Sequence, residues 1–349
     1  MASTMEMPSG SGAAEVPAQM RAMVLDAPGQ ALRKATLPVP VPAGHEVLLR
    51  VGACGVCRTD LHIIDGDLPM HRSPLIPGHE VVGRVAALGP LASGHALGER
   101  LGVPWLGHTC GHCPYCASGR ENLCDTPQFT GYDRDGGYAD YVLADSRYCL
   151  PLPDDYDDAH AAPLLCAGLI GYRAYAQAGS ATRLGLYGFG AAAHIICQFA
   201  CRQGREVYAF TRVGDVRSQE FARSLGAAWA GDSTMTPPHP LDAAVLFAPD
   251  GALVPRALAA SRKGATVVCA GIHMSDIPGF PYALLWGERV LRSVANLTRA
   301  DGMAFFSALA GMDIATSPVT FALEEANQAL DALRHGRFDG AAVLLPGGA

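Results

Sequence analysis

The chain has 349 residues, 49% of them apolar and 17% charged, and carries a net charge of −7. That length holds about two domains, each able to bury a core of its own. The acidic balance and the lack of a concentrated Lys/Arg run argue against a nucleic-acid partner, and no uninterrupted run of about 18 apolar residues is present to span a membrane.

Residues 1–20 are mostly Ser, Gly, Ala, Pro and Met, with neither a basic start nor an apolar core segment. They read as a disordered tail, not a secretion signal. Eleven cysteines in a chain with no export signal place it in a reducing, cytoplasmic compartment where disulfides are rare. An odd count also suits thiolates and metal better than a full disulfide framework.

Residues 21–150 read as β-rich. Ala22–Leu25, Glu46–Val51 and Val81–Val85 are short strand-like runs punctuated by Pro and Gly, the pattern of a small barrel or sandwich with long loops. Cys57 and His62 follow one such strand and His79 precedes the next. Cys57, His79 and Cys166 make a thiolate, imidazole and thiolate set of the kind preferred by a catalytic zinc, which takes three protein ligands and leaves a fourth place for water or substrate. Taken one at a time, the three read more readily as buried core residues, and spacing alone does not bring them together.

Cys110, Cys113, Cys116 and Cys124 are different, because their short spacings describe a closed tetrahedral set of the structural-zinc type. Such a site folds a lobe and performs no chemistry. A disulfide pairing is the alternative. His112 lies between these ligands and reads as a solvated loop residue.

From about 167 the texture alternates between strands and helices. The strand Arg183–Tyr187 runs into Gly188-Phe-Gly190-Ala-Ala-Ala193, and a helical stretch to Ala200 follows. In a G-x-G-x-x-A turn the first glycine makes the bend and the second lets backbone approach a pyrophosphate. The third small residue lets the helix pack on the strand, and the anion sits on the helix N-terminus. Further strands are expected at Glu206–Phe210, Ala243–Phe247, Ala265–Cys269 and Val290–Val294, which makes a doubly wound α/β domain. The second strand ends in Phe210-Thr211-Arg212 with no acid. A hydroxyl and a guanidinium suit a ribose 2′-phosphate better than a 2′-hydroxyl, so the reading leans to NADP(H) over NAD. Asp215 is the nearest acid downstream and reads as a cap of the next helix. Leu323–Leu333 is an amphipathic helix ended by Gly336, and Gly340–Leu345 a last strand returning to the first domain.

Gly55-Val-Cys-Arg-Thr-Asp-Leu-His62, Pro77-Gly-His-Glu80, Pro104-Trp105, the Cys110–Cys124 cluster, Pro163-Leu-Leu-Cys-Ala-Gly168 and the Gly188 turn stand in one order over roughly residues 21–346. In this the sequence resembles the zinc-containing medium-chain alcohol dehydrogenases, especially their bacterial and yeast-like branch. The resemblance implies a GroES-like β-rich catalytic domain (21–166, completed by 301–349) carrying an inserted Rossmann domain (167–300), in a homo-oligomer, either dimer or tetramer. It implies one catalytic zinc on Cys57, His79 and Cys166 and one structural zinc on the four-cysteine cluster. Asp60 would hold His79 in orientation. Thr59 would take the alcohol proton and His62 pass it towards solvent. Glu80 would lie behind the zinc as an occasional ligand, with a structural ion pair as the competing reading. Arg58 would contact the cofactor pyrophosphate, Ile170 the nicotinamide face, and Trp105 would line the substrate pocket.

Three positions depart from the pattern: Ile170 where many relatives have Thr, Ala193 for the third glycine, and Ala341 after Gly340 where yeast-type relatives carry an Arg that grips the pyrophosphate. The function implied is reversible oxidation of a primary alcohol to an aldehyde with NAD(P). The alternatives are an NADPH-dependent reductase of bulkier, aryl or cinnamyl-type aldehydes, and a catalytically inert zinc- and cofactor-binding protein.

Overall fold

A computed structural model describes residues 16–347. Most of the expected tail lies outside that range, but Gln19 and Met20 already belong to the strand Gln19–Val24, which pairs antiparallel with Arg33–Pro38. The ordered chain therefore starts before residue 21. Alternating burial along Gln19–Val24 explains this, since Met20, Ala22 and Val24 all turn into the core.

The first large sheet has seven strands. Its spine is the long strand Glu46–Val56, paired antiparallel with Glu80–Leu88 on one side. The other side is shared: Tyr141–Asp145 pairs with its first half and Ala341–Leu345 with its second. Register shifts between Leu48/Leu49 and Val51/Ala53 bend the strand, as β-bulges do, so that one strand serves two neighbours around a curved, barrel-like wall. The last strand of the chain is thus built into the N-terminal half of the molecule, and Pro318–Ala322 extends that edge in parallel.

The second sheet has six strands, all parallel. Its spatial order is Trp229–Asp232, Glu206–Thr211, Arg183–Tyr187, Leu241–Leu246, Ser261–Cys269, Val290–Ser293, which numbered along the chain is the 3-2-1-4-5-6 order of a Rossmann sheet. Leu184, Leu186, Val207, Ala209, Ala243 and Val245 are fully buried. Helices cover both faces, which is why these strands read as continuous apolar runs and not as alternating ones. The strand order reverses between Arg183–Tyr187 and Leu241–Leu246, and the crevice at the carboxyl ends of these two strands is where such sheets take their ligand.

The helix Ala167–Gln177 joins the two halves. Gly171 lets it approach Ala191–Arg202 closely: a Cβ there would stand 2.5 Å from Ile196 Cγ1. Among the described residues no helix is long and apolar enough to cross a membrane.

Candidate metal centre and cofactor turn

The long strand Glu46–Val56 delivers Cys57, which is the N-cap of the helix Arg58–Asp65. Asp60, three residues into that helix, accepts the Cys57 backbone N–H at 2.8 Å. This capping interaction fixes the cysteine and draws the carboxylate inward. Asp60 has no exposed surface. It accepts two further hydrogen bonds, from His79 Nδ1 at 3.1 Å and from the Tyr138 hydroxyl at 3.1 Å. With Nδ1–H donated to Asp60, His79 turns its Nε2 lone pair inward, and that atom is buried with no hydrogen-bond partner. Donor atoms of Cys57, Cys166 and Glu80 gather with it within 4.8 Å of one another. Cys57 Sγ and Cys166 Sγ are 3.8 Å apart, far beyond the roughly 2.05 Å of a disulfide. It is close to the roughly 3.8 Å edge of a tetrahedron with zinc–sulfur bonds of about 2.3 Å.

Electrostatics point the same way. Cys57 lies well below an ordinary thiol, first through the hydrogen bond from Cys166 and then through His79, against the opposing effect of burial. Cys166 moves upward because it is the donor of that pair and is itself buried. Burial works against a charged His79, but Asp60 and Cys57 outweigh it and hold the imidazole well above its usual value. The ring therefore sits where positive charge is favoured. Glu80 is pushed up, by burial and then by the Cys57 charge. Among the described residues no Lys or Arg lies within ion-pair distance of it, so the competing reading of Glu80 as half of a structural ion pair finds no partner. The buried polar nitrogen, the two sulfurs and the carboxylate fit a zinc ion.

The cluster Cys110, Cys113, Cys116 and Cys124 also brings four sulfurs within 4.8 Å. None of the eleven cysteines is disulfide-bonded. Backbone N–H groups point at the sulfurs: Cys113 N to Cys110 Sγ at 3.3 Å, Cys110 N to Cys124 Sγ at 3.3 Å and Thr126 N to Cys124 Sγ at 3.4 Å. Such donors favour thiolate. The Cys113 thiol comes down to about 6, chiefly through the Cys116 backbone N–H, while burial raises Cys116 to about 11. His112 is exposed and bonds only the Cys110 carbonyl, at 2.8 Å. The lobe is docked by Glu121, which receives Arg299 Nε and Nη2 at 3.0 and 2.6 Å, and by Asn122 on the Ala295 carbonyl at 2.9 Å.

At the cofactor turn Gly188 has φ +85°, and a Cβ there would meet the Ala248 nitrogen at 2.8 Å. Both the bend and the close approach require glycine. A Cβ on Gly190 would meet nothing within 4 Å, so the space over the N-terminus of Ala191–Arg202 is free for a phosphate, and Ala193 is fully buried against the sheet. Arg212 is exposed, whereas the Thr211 hydroxyl is buried, donating to the Arg212 carbonyl and accepting from Gln219 at 3.1 Å. Asp215 caps Val216–Ser224 through the Ser218 N–H. Arg58 is exposed at the start of its helix, and Ile170 is half-buried one turn after Cys166. Trp105 is buried with its ring edge-on to His79 at 4.9 Å and stacked on Phe129 at 4.9 Å.

Thr59 is buried with its hydroxyl 3.8 Å from Cys57 Sγ. His62, one turn on, is half-buried and bonds Asp67. Two residues of this neighbourhood escaped the sequence reading. Tyr138 is a distant aromatic in a glycine-rich stretch and carries no local signal. Asp67 carries a faint one, an acid just past the helix-ending Gly66.

Residues 43–154 match the alcohol dehydrogenase GroES-like domain family. The chain is 49% identical over 322 residues to the probable alcohol dehydrogenase AdhA of Mycobacterium tuberculosis, covering 90% of this chain and 92% of that protein. It is 34% identical over 342 residues to an alcohol dehydrogenase of Geobacillus stearothermophilus, covering 93% and 99%. The cobalt- and zinc-bound thermostable alcohol dehydrogenase from Pyrobaculum aerophilum shares its fold, with a TM-score of 0.84 over 94% of this chain and 100% of that one at 24% identity. With the sheet order, the sulfur and imidazole donors and these likenesses together, the chain belongs to the zinc-containing medium-chain alcohol dehydrogenase family.

Proposed function

We propose that this chain is a zinc-dependent alcohol dehydrogenase that interconverts a primary alcohol and its aldehyde with a nicotinamide cofactor. The observation that carries the reading is His79 Nε2, buried and without a hydrogen-bond partner, among Cys57, Cys166 and Glu80. Cys57, His79 and Cys166 hold a catalytic zinc, and the four cysteines from Cys110 to Cys124 a structural one. When bound, zinc acts as a Lewis acid toward the substrate oxygen and the nicotinamide ring accepts or returns the hydride.

The chain's own residues do the rest. Asp60 holds His79 in the tautomer that presents Nε2. Thr59 Oγ1 takes the proton of the substrate hydroxyl and releases its own towards His62, which carries it to water. Buried Trp105 packs on the outer side of His79 and keeps water from that wall of the centre. Glu80 stands by as an alternative oxygen ligand. The N-terminus of Ala191–Arg202 receives the pyrophosphate over Gly188, Gly190 and Ala193, with Arg58 as the nearby cation, while Ile170 offers an apolar contact to the nicotinamide. Exposed Arg212, which pairs with no acid among the described residues, favours NADP(H). We assign 19–166 with 301–347 to the catalytic domain and 167–300 to the cofactor domain. We further assign a homo-oligomeric, cytoplasmic protein.

Purified protein should contain about two zinc ions per chain and turn over short primary alcohols, with NADP⁺ preferred to NAD⁺. One zinc per chain and no turnover with either cofactor would refute the proposal.

A further inference from the structure

His62 makes one strong contact, and the proposed relay does not account for it. Its Nδ1 lies 2.8 Å from Asp67 Oδ2. An ionised carboxylate only accepts hydrogen bonds, so the proton of the neutral ring resides on Nδ1 and Nε2 is left as the basic atom. Asp67 has no other ion-pair partner among the described residues.

The chain takes trouble to place this carboxylate. The helix Arg58–Asp65 ends on Gly66 in the left-handed region at φ 84°, with its N–H on the Ile63 carbonyl. The chain then folds back, and the Leu68 N–H reaches the His62 carbonyl at 3.3 Å. On one side of Asp67, Asp65 is clamped by both Arg334 terminal nitrogens at 2.6 Å. On the other, the Tyr132 hydroxyl bonds the Pro69 carbonyl at 2.5 Å. Tyr132 in turn stacks on Trp105, which touches His79. The loop that carries Asp67 is therefore tied to the metal centre and to the C-terminal helix Ala326–Arg334. The ring of His273, from the second sheet's side, lies 6.1 Å from that of His62.

We infer that Asp67 is a positioning residue for His62, and the inference rests on the relay reading above. The carboxylate fixes the Nδ1–H tautomer, keeps Nε2 available for the proton arriving through Thr59, and stabilises the imidazolium that exists while the ring holds two protons. One proton leaves the substrate hydroxyl, His62 Nε2 gains one, and one is released from His62 to water, so the relay returns to its starting state. An ordinary exposed His–Asp pair would contribute little to stability and nothing to turnover.

Steady-state kinetics of the zinc-loaded protein, with zinc content and melting temperature measured on every variant, separate these cases. Asp67→Asn is expected to lower kcat for alcohol oxidation about tenfold, the lower end of what removing an orienting partner costs, with zinc content and cofactor KM unchanged. Asp67→Glu is expected to recover most of the loss. Because Asp67 acts only through His62, adding Asp67→Asn to His62→Gln is expected to cost nothing further. If His62→Gln loses activity but Asp67→Asn stays within about twofold of the parent, or if its loss recurs in full on the His62→Gln background, the role of Asp67 is refuted and the relay stands. If His62→Gln itself is as active as the parent, the relay reading fails, and the inference with it.

Discussion

At the scale of single residues, Asp60 is the group that ties the candidate zinc centre together. It accepts from the Cys57 backbone, His79 and Tyr138 at once, so one carboxylate sets the position of both Cys57 and His79. Asp60→Asn keeps the shape but weakens the acceptor for His79. The variant is expected to bind zinc at the catalytic site about 10–100-fold more weakly, read by chelator competition, with the structural zinc retained. Tyr138→Phe deletes one bond, worth about 1 kcal/mol, and should weaken the same site only a few-fold. Equal effects of the two variants would show that Asp60 acts through bulk packing. These two residues also mark how far the site was legible. Asp60 was named because it stands within the Gly55–His62 motif that carries the family resemblance. Tyr138 is 78 positions away and reaches Asp60 only through the packing of Gly78 and Gly137 around Cys54, which no local pattern encodes. Local pattern is equally silent on Thr211: its identity suits a phosphate, while its hydroxyl is bonded by its own strand end and by Gln219.

At the scale of elements, the four-cysteine lobe has almost no regular structure, only Pro114–Ala117 and Glu121–Leu123. Few apolar side chains are buried there, so a metal held by the four sulfurs would supply most of its folding energy. Cys113→Ser is expected to lose the lobe's zinc and to open the segment between His108 and Thr126 to protease while the catalytic zinc remains. Protection from protease equal to the parent's would mean that the docking contacts of Glu121 and Asn122 suffice on their own. Elements with a strong local signal were legible, as in Arg183–Tyr187 with its glycine turn, where the strand bounds came out identical. The edge strand Trp229–Asp232 was not, because four residues including a Gly and an Asp hold their conformation only through parallel pairing with Glu206–Thr211. The helix Arg58–Asp65 was also unseen as a helix. It spans only two turns between a cysteine and a glycine, and its burial depends on packing against Ala326–Arg334.

At the scale of the whole molecule, stability should fall on mild acidification, and one buried group makes part of that fall assignable. His194, in the first turn of Ala191–Arg202, is 1% exposed with Nε2 unpartnered. Burial lowers its pKa from 6.5 to about 4. Between those values the unfolded chain binds the extra proton and the native chain does not, so stability rises with pH across that window and is lost as pH drops through it. From pH 7 to pH 5 the loss amounts to about 2 kcal/mol. In urea unfolding at both pH values, His194→Asn should show a correspondingly smaller difference than the parent. An unchanged difference would place the acid sensitivity elsewhere, the metal ligands included.

The division into a β-rich half and a doubly wound half followed from the change in texture near residue 167 and from the glycine turn; the 3-2-1-4-5-6 order did not, because its third strand, Trp229–Asp232, carries no local signal. The return of Ala341–Leu345 to the spine of the first sheet could be guessed, but the sharing of one strand edge by two partners depends on bulges that leave no trace in composition.

The most direct measurement is zinc content and turnover of Cys57→Ser beside the parent protein. If Cys57, His79 and Cys166 hold the catalytic ion, the variant keeps about one zinc per chain and a native melting profile, and loses alcohol turnover by about a thousandfold, the rate equivalent of several kcal/mol of Lewis-acid stabilisation. A variant that retains full turnover, or that retains both zinc ions, would contradict the account.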